Sequence, residues 1–315
     1  MGKRLVIELP EGAEVVHVEI RLSGEGEGEK TPPENPDRPQ DVPVPWPCYV
    51  MTARPTEWEA NPEWARAGAV GVHLRLLLSD VYPQMVVDHL DTAQRLGIQV
   101  GLAIAVHNSR DWGRGTVFTR HVRVLSDGTR IPDYWSESFI NEYVSVHRQI
   151  AEAVKDHPAL AWIGHTFGLD DEAWPVKPWD RAHKEGLDIW GYMMNYVRTV
   201  HELAKLFDPV PVLAQCYPMY SRQGLDVLFK DAPVNMGLKL NGWKTKVKPR
   251  DRELKPYWDR AKDEGRMVML EPGIVPSAKR ETNRELWEAL REVGERFWQP
   301  DAVNVQRQFL ESLVE

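Results

Sequence analysis

The sequence predicts an α/β fold, a (β/α)8 barrel of eight parallel strands with a short N-terminal β-hairpin extension. Three observations carry this prediction. From Trp46 onward, short apolar runs alternate with amphipathic helical stretches, eight times in all. The best-defined runs, IQVGLAIAVH (98–107) and Leu160 to Phe167, are almost continuously apolar, as strands buried on both faces are. Two runs end in carboxylates: the stretch ALAWIGHTFGLDDEAW passes into Asp170, Asp171 and Glu172, and Met267 to Leu270 passes into Glu271 before Pro272 and Gly273. Carboxylates shed water reluctantly, and the carboxyl ends of barrel strands are where barrel enzymes place their sites.

Taken in order, residues 1–22 read as a hairpin, because RLVIEL and EVVHVEIRL alternate around the turn PEGA. Residues 23–45 are rich in Gly, Glu and Pro without a periodic apolar face, and read as a linker. The barrel is assigned to 46–315. Its strands are expected at 46–53, 69–79, 98–107, 160–167, 209–217, 234–243, 266–270 and 302–306, the last carried by the weakest signal. Helices are expected at 84–96, 138–156, 186–207, 223–229 and 252–263, then from Thr282, where Glu285 completes a capping box, with a final helix in QFLESL. Leu187, Trp190, Met194, Val197 and Leu203 are expected on the apolar face of 186–207, and Leu286, Leu290, Val293 and Phe297 on that of the Thr282 helix. A long insertion follows strand three, with a hairpin predicted around Asp127-Gly128. An open doubly wound sheet is the competing fold, but no glycine-rich phosphate loop follows strand one.

Composition narrows the function classes. A net charge of −8 over 315 residues argues against nucleic acid or an anionic membrane surface as partner. Mean hydropathy is −0.46, and no apolar run approaches the ~18 residues of a membrane span. The opening MGKRLVIELPEG holds too short an apolar run for a signal peptide, which points to a cytoplasmic or virion-associated protein. Cys48 and Cys216 fall inside strands and read as buried free thiols. Tryptophan is abundant, at 13 residues. Trp112, Trp135, Trp174, Trp179 and Trp243 fall in loops or at strand ends, where flat aromatic faces suit sugar rings.

Paired strand-end acids are the minimum equipment for glycoside hydrolysis. Strand ends also bring Gln215 and Tyr217 (strand five) and Asn241 and Trp243 (strand six) toward such a site, and Trp174 beside the acidic tract reads as a site wall. Lys239 alternates with Leu238 and Leu240 and so faces the barrel interior, where a charge needs a partner; an acid of the site is the candidate.

On these residues the chain resembles clan A glycoside hydrolases. In that clan the acid/base Glu ends strand four and the nucleophile Glu ends strand seven, places held here by Glu172 and Glu271. The resemblance implies that Arg75, in HLRLLLS, contacts the nucleophile. It also implies that His107 and Asn108, in AVHN, line the sugar site. Where the clan has Asn before the acid/base Glu, this chain has Asp171. Which of Asp170, Asp171 and Glu172 is the acid stays open; Glu172 has the longer reach, and Asp170 and Asp171 are then substrate-binding candidates.

The resulting expectation is a two-glutamate glycosidase, retaining in mechanism, acting on an oligosaccharide or polysaccharide with no cofactor and no metal. The hairpin is a possible contact for a homo-oligomer. A non-catalytic carbohydrate-binding barrel within a larger assembly is the second reading. A metal-dependent hydrolase using His107, His165 and the acidic tract is the third, though neither HxH nor HExxH spacing exists. Ser-His-Asp catalysis finds no Gly-x-Ser-x-Gly.

Overall fold

In the computed structural model, residues 46–52, 54–108, 116–169, 173–176, 179–216, 222–273 and 280–313 are described. The predicted N-terminal hairpin and linker lie outside these residues, as do Trp112, Asp170, Asp171, Glu172 and Tyr217.

Eight strands form the sheet: β1 (Cys48–Thr52), β2 (Ala69–Leu77), β3 (Gln99–Ala105), β4 (Leu160–Gly164), β5 (Val212–Gln215), β6 (Met236–Trp243), β7 (Val268–Pro272) and β8 (Ala302–Gln306). All pair in parallel, each beside its neighbour in the chain, and β8 closes onto β1. This is the predicted closed barrel and not the open sheet. Most observed strands are shorter than their apolar runs. The His165 N–H still donates to the Leu213 carbonyl at 3.0 Å, but Thr166 and Phe167 continue beyond it as buried chain outside the ladder, because the run marks burial and not pairing.

Besides a short helical stretch, Trp179–Lys184, the α-helices are α1 (Glu63–Arg66), α2 (Pro83–Arg95), α3 (Glu137–Val154), α4 (Ile189–Phe207), α5 (Arg222–Phe229), α6 (Pro249–Asp263), α7 (Arg280–Val293) and α8 (Arg307–Glu311). Ser136 caps α3 by accepting from the Phe139 N–H at 3.1 Å, and Asp188 caps α4 by accepting from the Gly191 N–H at 2.9 Å. Two helix expectations are corrected. Thr282 is not a cap, since α7 already runs from Arg280. On α4 the buried face is Tyr192, Met193, Tyr196, Val197, Val200 and Leu203, while Trp190 and Met194 are exposed. The tyrosines win the inner face because they join an aromatic cluster with Tyr134, Phe139, Tyr143 and Phe167, for which Trp190 is turned the wrong way. On α7, Leu290 is buried as expected, but Trp287 accompanies it in the core while Leu286 is only partly covered.

The insertion after β3 contains the predicted hairpin, Val122–Val124 against Arg130–Pro132. Asp127 accepts from the Thr129 N–H at 3.0 Å and pairs with Arg181 at 2.6 Å, which ties the turn to the short helix Trp179–Lys184.

Most of the apolar core lies between strands and helices, and both cysteines are buried there as free thiols. A second, smaller cluster fills the barrel itself: Tyr49, Trp162, Leu213, Met269 and Ala302. Trp162 spans this interior because β3 carries Gly101 beside it. A Cβ on that glycine would stand 2.0 Å from the indole ring.

Candidate active site

Side chains alternate along a strand, so the positions two residues beyond the interior apolar cluster also point inward. Those positions are polar. Gln215 follows Leu213 on β5, Glu271 follows Met269 on β7, and Asn304 follows Ala302 on β8. Lys239 is in register with Gln215 and Met269, and Asn241 with Glu271. On β2, His73 and Arg75 are in register with Gly101 and Ala103. The barrel is thus apolar within and polar toward the carboxyl ends of its strands.

Glu271 is the centre of this layer. Its Oε2 receives the Lys239 ammonium at 2.6 Å and a hydrogen bond from Asn304 Nδ2, also at 2.6 Å. The Lys239 side chain is 3% exposed and that of Glu271 17%, so the pair is buried on the cation side and open on the carboxylate side. Among the described residues, no donor binds the other carboxylate oxygen. The predicted acid partner of Lys239 is therefore Glu271. The ion pairs among the described residues do not include one between Arg75 and Glu271, the contact that the resemblance implied.

Asn304 Nδ2 also lies 3.0 Å from His73 Nδ1. The His73 ring packs against Trp162 with centroids 4.8 Å apart. Burial, reinforced by the Lys239 and Arg75 charges, pushes its pKa well below the usual histidine value, against a smaller upward pull from Asn304. Gln215 Oε1 and Asn241 Oδ1 are buried acceptors without a hydrogen-bond donor among the described residues. Such groups are costly to leave unpaired, by about 1–3 kcal/mol each, and a ligand rich in hydroxyl donors would satisfy them.

The remaining sequence candidates divide. His107 is buried just past β3 and pairs with Leu169 beyond β4, joining the chain after these two strands. Asn108 pairs in a short ribbon with Thr116. Leu169 and Trp174, on either side of the acidic tract, are joined by a 2.8 Å backbone hydrogen bond. Trp174 and Trp243 are core residues: both are buried, and Trp243 meets Trp46 and Trp287 edge-on. Trp135 stacks with the Arg123 guanidinium at 4.3 Å and donates to the Asp188 carbonyl. None of these three indoles presents an open platform; strand-end position alone does not distinguish a site wall from a core anchor.

His165 faces away from the barrel. Thr199 Oγ1, 3.0 Å from its Nε2, is already committed as donor to the Asn195 or Tyr196 carbonyl on α4, so it accepts from that ring nitrogen. The ring stacks with Phe167, 5.8 Å between centroids. It cannot join His107 in a metal set. Among the described residues, no group of three His, Cys, Asp or Glu is placed to hold a metal ion. Lys244, just past β6, donates to the Gly273 carbonyl just beyond β7, and burial lowers its pKa, helped by the Lys248 and Arg250 charges.

Sequence reasoning missed His73 and Asn304. Each had a signal: His73 shares a strand face with Arg75, and Asn304 is the polar centre of the apolar run AVNVQ.

The fold and this polar mouth define a closed (β/α)8 barrel with an ionised layer at the carboxyl ends of its strands. No protein-family model matches the chain, and no curated protein matches it by sequence. Solved structures of similar fold are TIM-barrel glycoside hydrolases and related barrel enzymes. The cellulose synthase subunit Z of Clostridioides difficile is 11% identical over 86% of this chain and 100% of its own, with a TM-score of 0.49. A rutinosidase from Aspergillus niger is 11% identical over 79% and 73%, with a TM-score of 0.45. A D-psicose 3-epimerase is 10% identical over 82% and 84%, with a TM-score of 0.46. Likeness of this depth carries no argument about activity.

Proposed function

We propose that this barrel hydrolyses glycosidic bonds, with Glu271 as nucleophile and Glu172, in the acidic tract that follows β4 in the sequence, as acid/base. The observation that supports this reading is the anchoring of Glu271: Lys239 and Asn304 both hold Oε2 while the side chain stays partly open at the mouth. A carboxylate fixed through one oxygen presents the other in a defined direction. In the proposed reaction Glu271 attacks the anomeric carbon as Glu172 gives its proton to the leaving oxygen. Glu172 then takes a proton from water, whose oxygen displaces Glu271 and retains the configuration. The buried acceptors Gln215 Oε1 and Asn241 Oδ1 suit sugar hydroxyls.

A panel of aryl glycosides tests this with wild type, Glu271→Gln and Glu172→Gln. The expected result is turnover by wild type and a loss of roughly a thousandfold in each variant. Undiminished turnover in Glu271→Gln refutes the assignment. Wild type that binds glycans without cleaving any of the panel gives the non-catalytic binding barrel instead.

A further inference from the structure

We propose that His73 and Asn304 are a positioning pair that fixes the orientation of the Glu271 carboxylate. The proposal rests on the reading of Glu271 as nucleophile, and it follows from counting hydrogens. Asn304 Nδ2 lies 2.6 Å from Glu271 Oε2. Turning the amide over would bring its carbonyl oxygen against that oxygen, two acceptors in contact, so the NH2 group must face Glu271. An amide nitrogen only donates. Its second hydrogen therefore goes to His73 Nδ1 at 3.0 Å, which must be unprotonated, and the ring proton resides on Nε2. One amide hydrogen holds the carboxylate and the other holds the imidazole. His73 in turn is wedged against Trp162, which Gly101 admits to the barrel interior.

His73 thus touches no reacting atom. It acts by denying Asn304 any other orientation, while Lys239 supplies charge to the same oxygen without fixing its direction. The pair comes from β2 and β8, strands that flank β1, and links Glu271 to the far side of the barrel closure.

The experiment compares wild type with His73→Leu, His73→Asn, Asn304→Leu and Asn304→Asp, each checked for folding by thermal melting. His73→Leu removes the acceptor at similar volume, whereas His73→Asn restores an amide oxygen close to where Nδ1 stood. His73→Leu and Asn304→Leu are expected to lower kcat by about 10- to 100-fold with little change in KM, the signature of a misaligned nucleophile. His73→Asn should recover most of that loss. Asn304→Asp sets a second carboxylate against Glu271 and should move the acid limb of the pH–rate profile upward by about one unit or more.

Imidazole nitrogen NMR of wild type, with His73→Asn assigning the signal, reads the tautomer directly. Carboxyl-carbon NMR, with Glu271→Gln assigning the signal, reads the titration of Glu271 in wild type and Asn304→Asp. A proton on Nδ1, unchanged kcat in folded His73→Leu, or a His73→Asn variant as impaired as His73→Leu overturns the proposal. If wild type cleaves no glycoside, the hydrolase reading falls alone: the Nε2–H tautomer and an upward-shifted Glu271 titration in Asn304→Asp still uphold the pair, and their absence overturns it.

Discussion

Replacing Lys239 by Met isolates the ion pair at the barrel mouth. The 2.6 Å contact joins an ammonium that is 3% exposed to a carboxylate that is 17% exposed. Methionine keeps the length and volume of the side chain but leaves the carboxylate without its counter-charge. Removing one partner of a buried pair costs about 3–5 kcal/mol. The lower end applies here, since Glu271 keeps the Asn304 hydrogen bond and some solvent. Unfolding entropy scales with chain length, and a barrel of this size loses roughly 2 °C in Tm per kcal/mol, so the expected fall is about 6 °C or somewhat more. The double variant Lys239→Met with Glu271→Gln removes both charges and should recover most of that fall. Calorimetry of wild type, the two single variants and the double variant at neutral pH measures this cycle. A Lys239→Met protein that melts within about 1 °C of wild type, or a double variant no better than it, would refute the reasoning.

Three further outcomes are expected. Gly101→Ala drives a methyl into the Trp162 ring at 2.0 Å; it should destabilise by about 3 kcal/mol, at the upper end for overpacking, as urea unfolding would show, and Trp162→Ala in the same background should relieve the clash. His147, buried on α3, has its pKa pushed down to about 4 by burial, against an upward pull from the Tyr143 carbonyl. Because the folded value lies below the unfolded one, its stability contribution is full above pH 6.5 and is lost as pH falls toward 4. At about 1.36 kcal/mol per unit the loss reaches ~3 kcal/mol. Burial depresses His73 and His165 in the same direction, so stability should fall steeply between pH 6.5 and 5, and His147→Gln should flatten that slope. Thr199→Val deprives the buried His165 Nε2–H of its acceptor and should cost ~1–3 kcal/mol, read as a lower urea midpoint.

How much of this was legible in the sequence follows from what each signal measures. Continuous apolar runs report burial on two faces, so β3, β4 and β7 could be placed, and their alternation with helices gave the closed barrel. The same runs do not report hydrogen bonding, which is why β4 stops at Gly164, with one last bond from the His165 N–H, and the buried Thr166 and Phe167 lie past the ladder. Lys239 was readable as an inward charge because leucines flank it, and the carboxylate two steps along the neighbouring strand was its nearest answer. His73 and Asn304 were not found, since the hydrogen bond joining them spans 231 positions of chain and arises only when β8 closes near β2. Trp190 and Met194 were assigned to the wrong face of α4 because hydrophobicity alone cannot rank a tryptophan against the tyrosines that the neighbouring aromatic cluster recruits.

The indole of Trp162 sits where the barrel changes from oily to ionic, and so works as a floor. Beneath it apolar side chains fill the interior, and above it stand the ionic groups and the loops of the mouth. The packing beneath it is insulated from what those loops do. Insertions such as the one after β3 can therefore be exchanged or lengthened while the foundation stays intact.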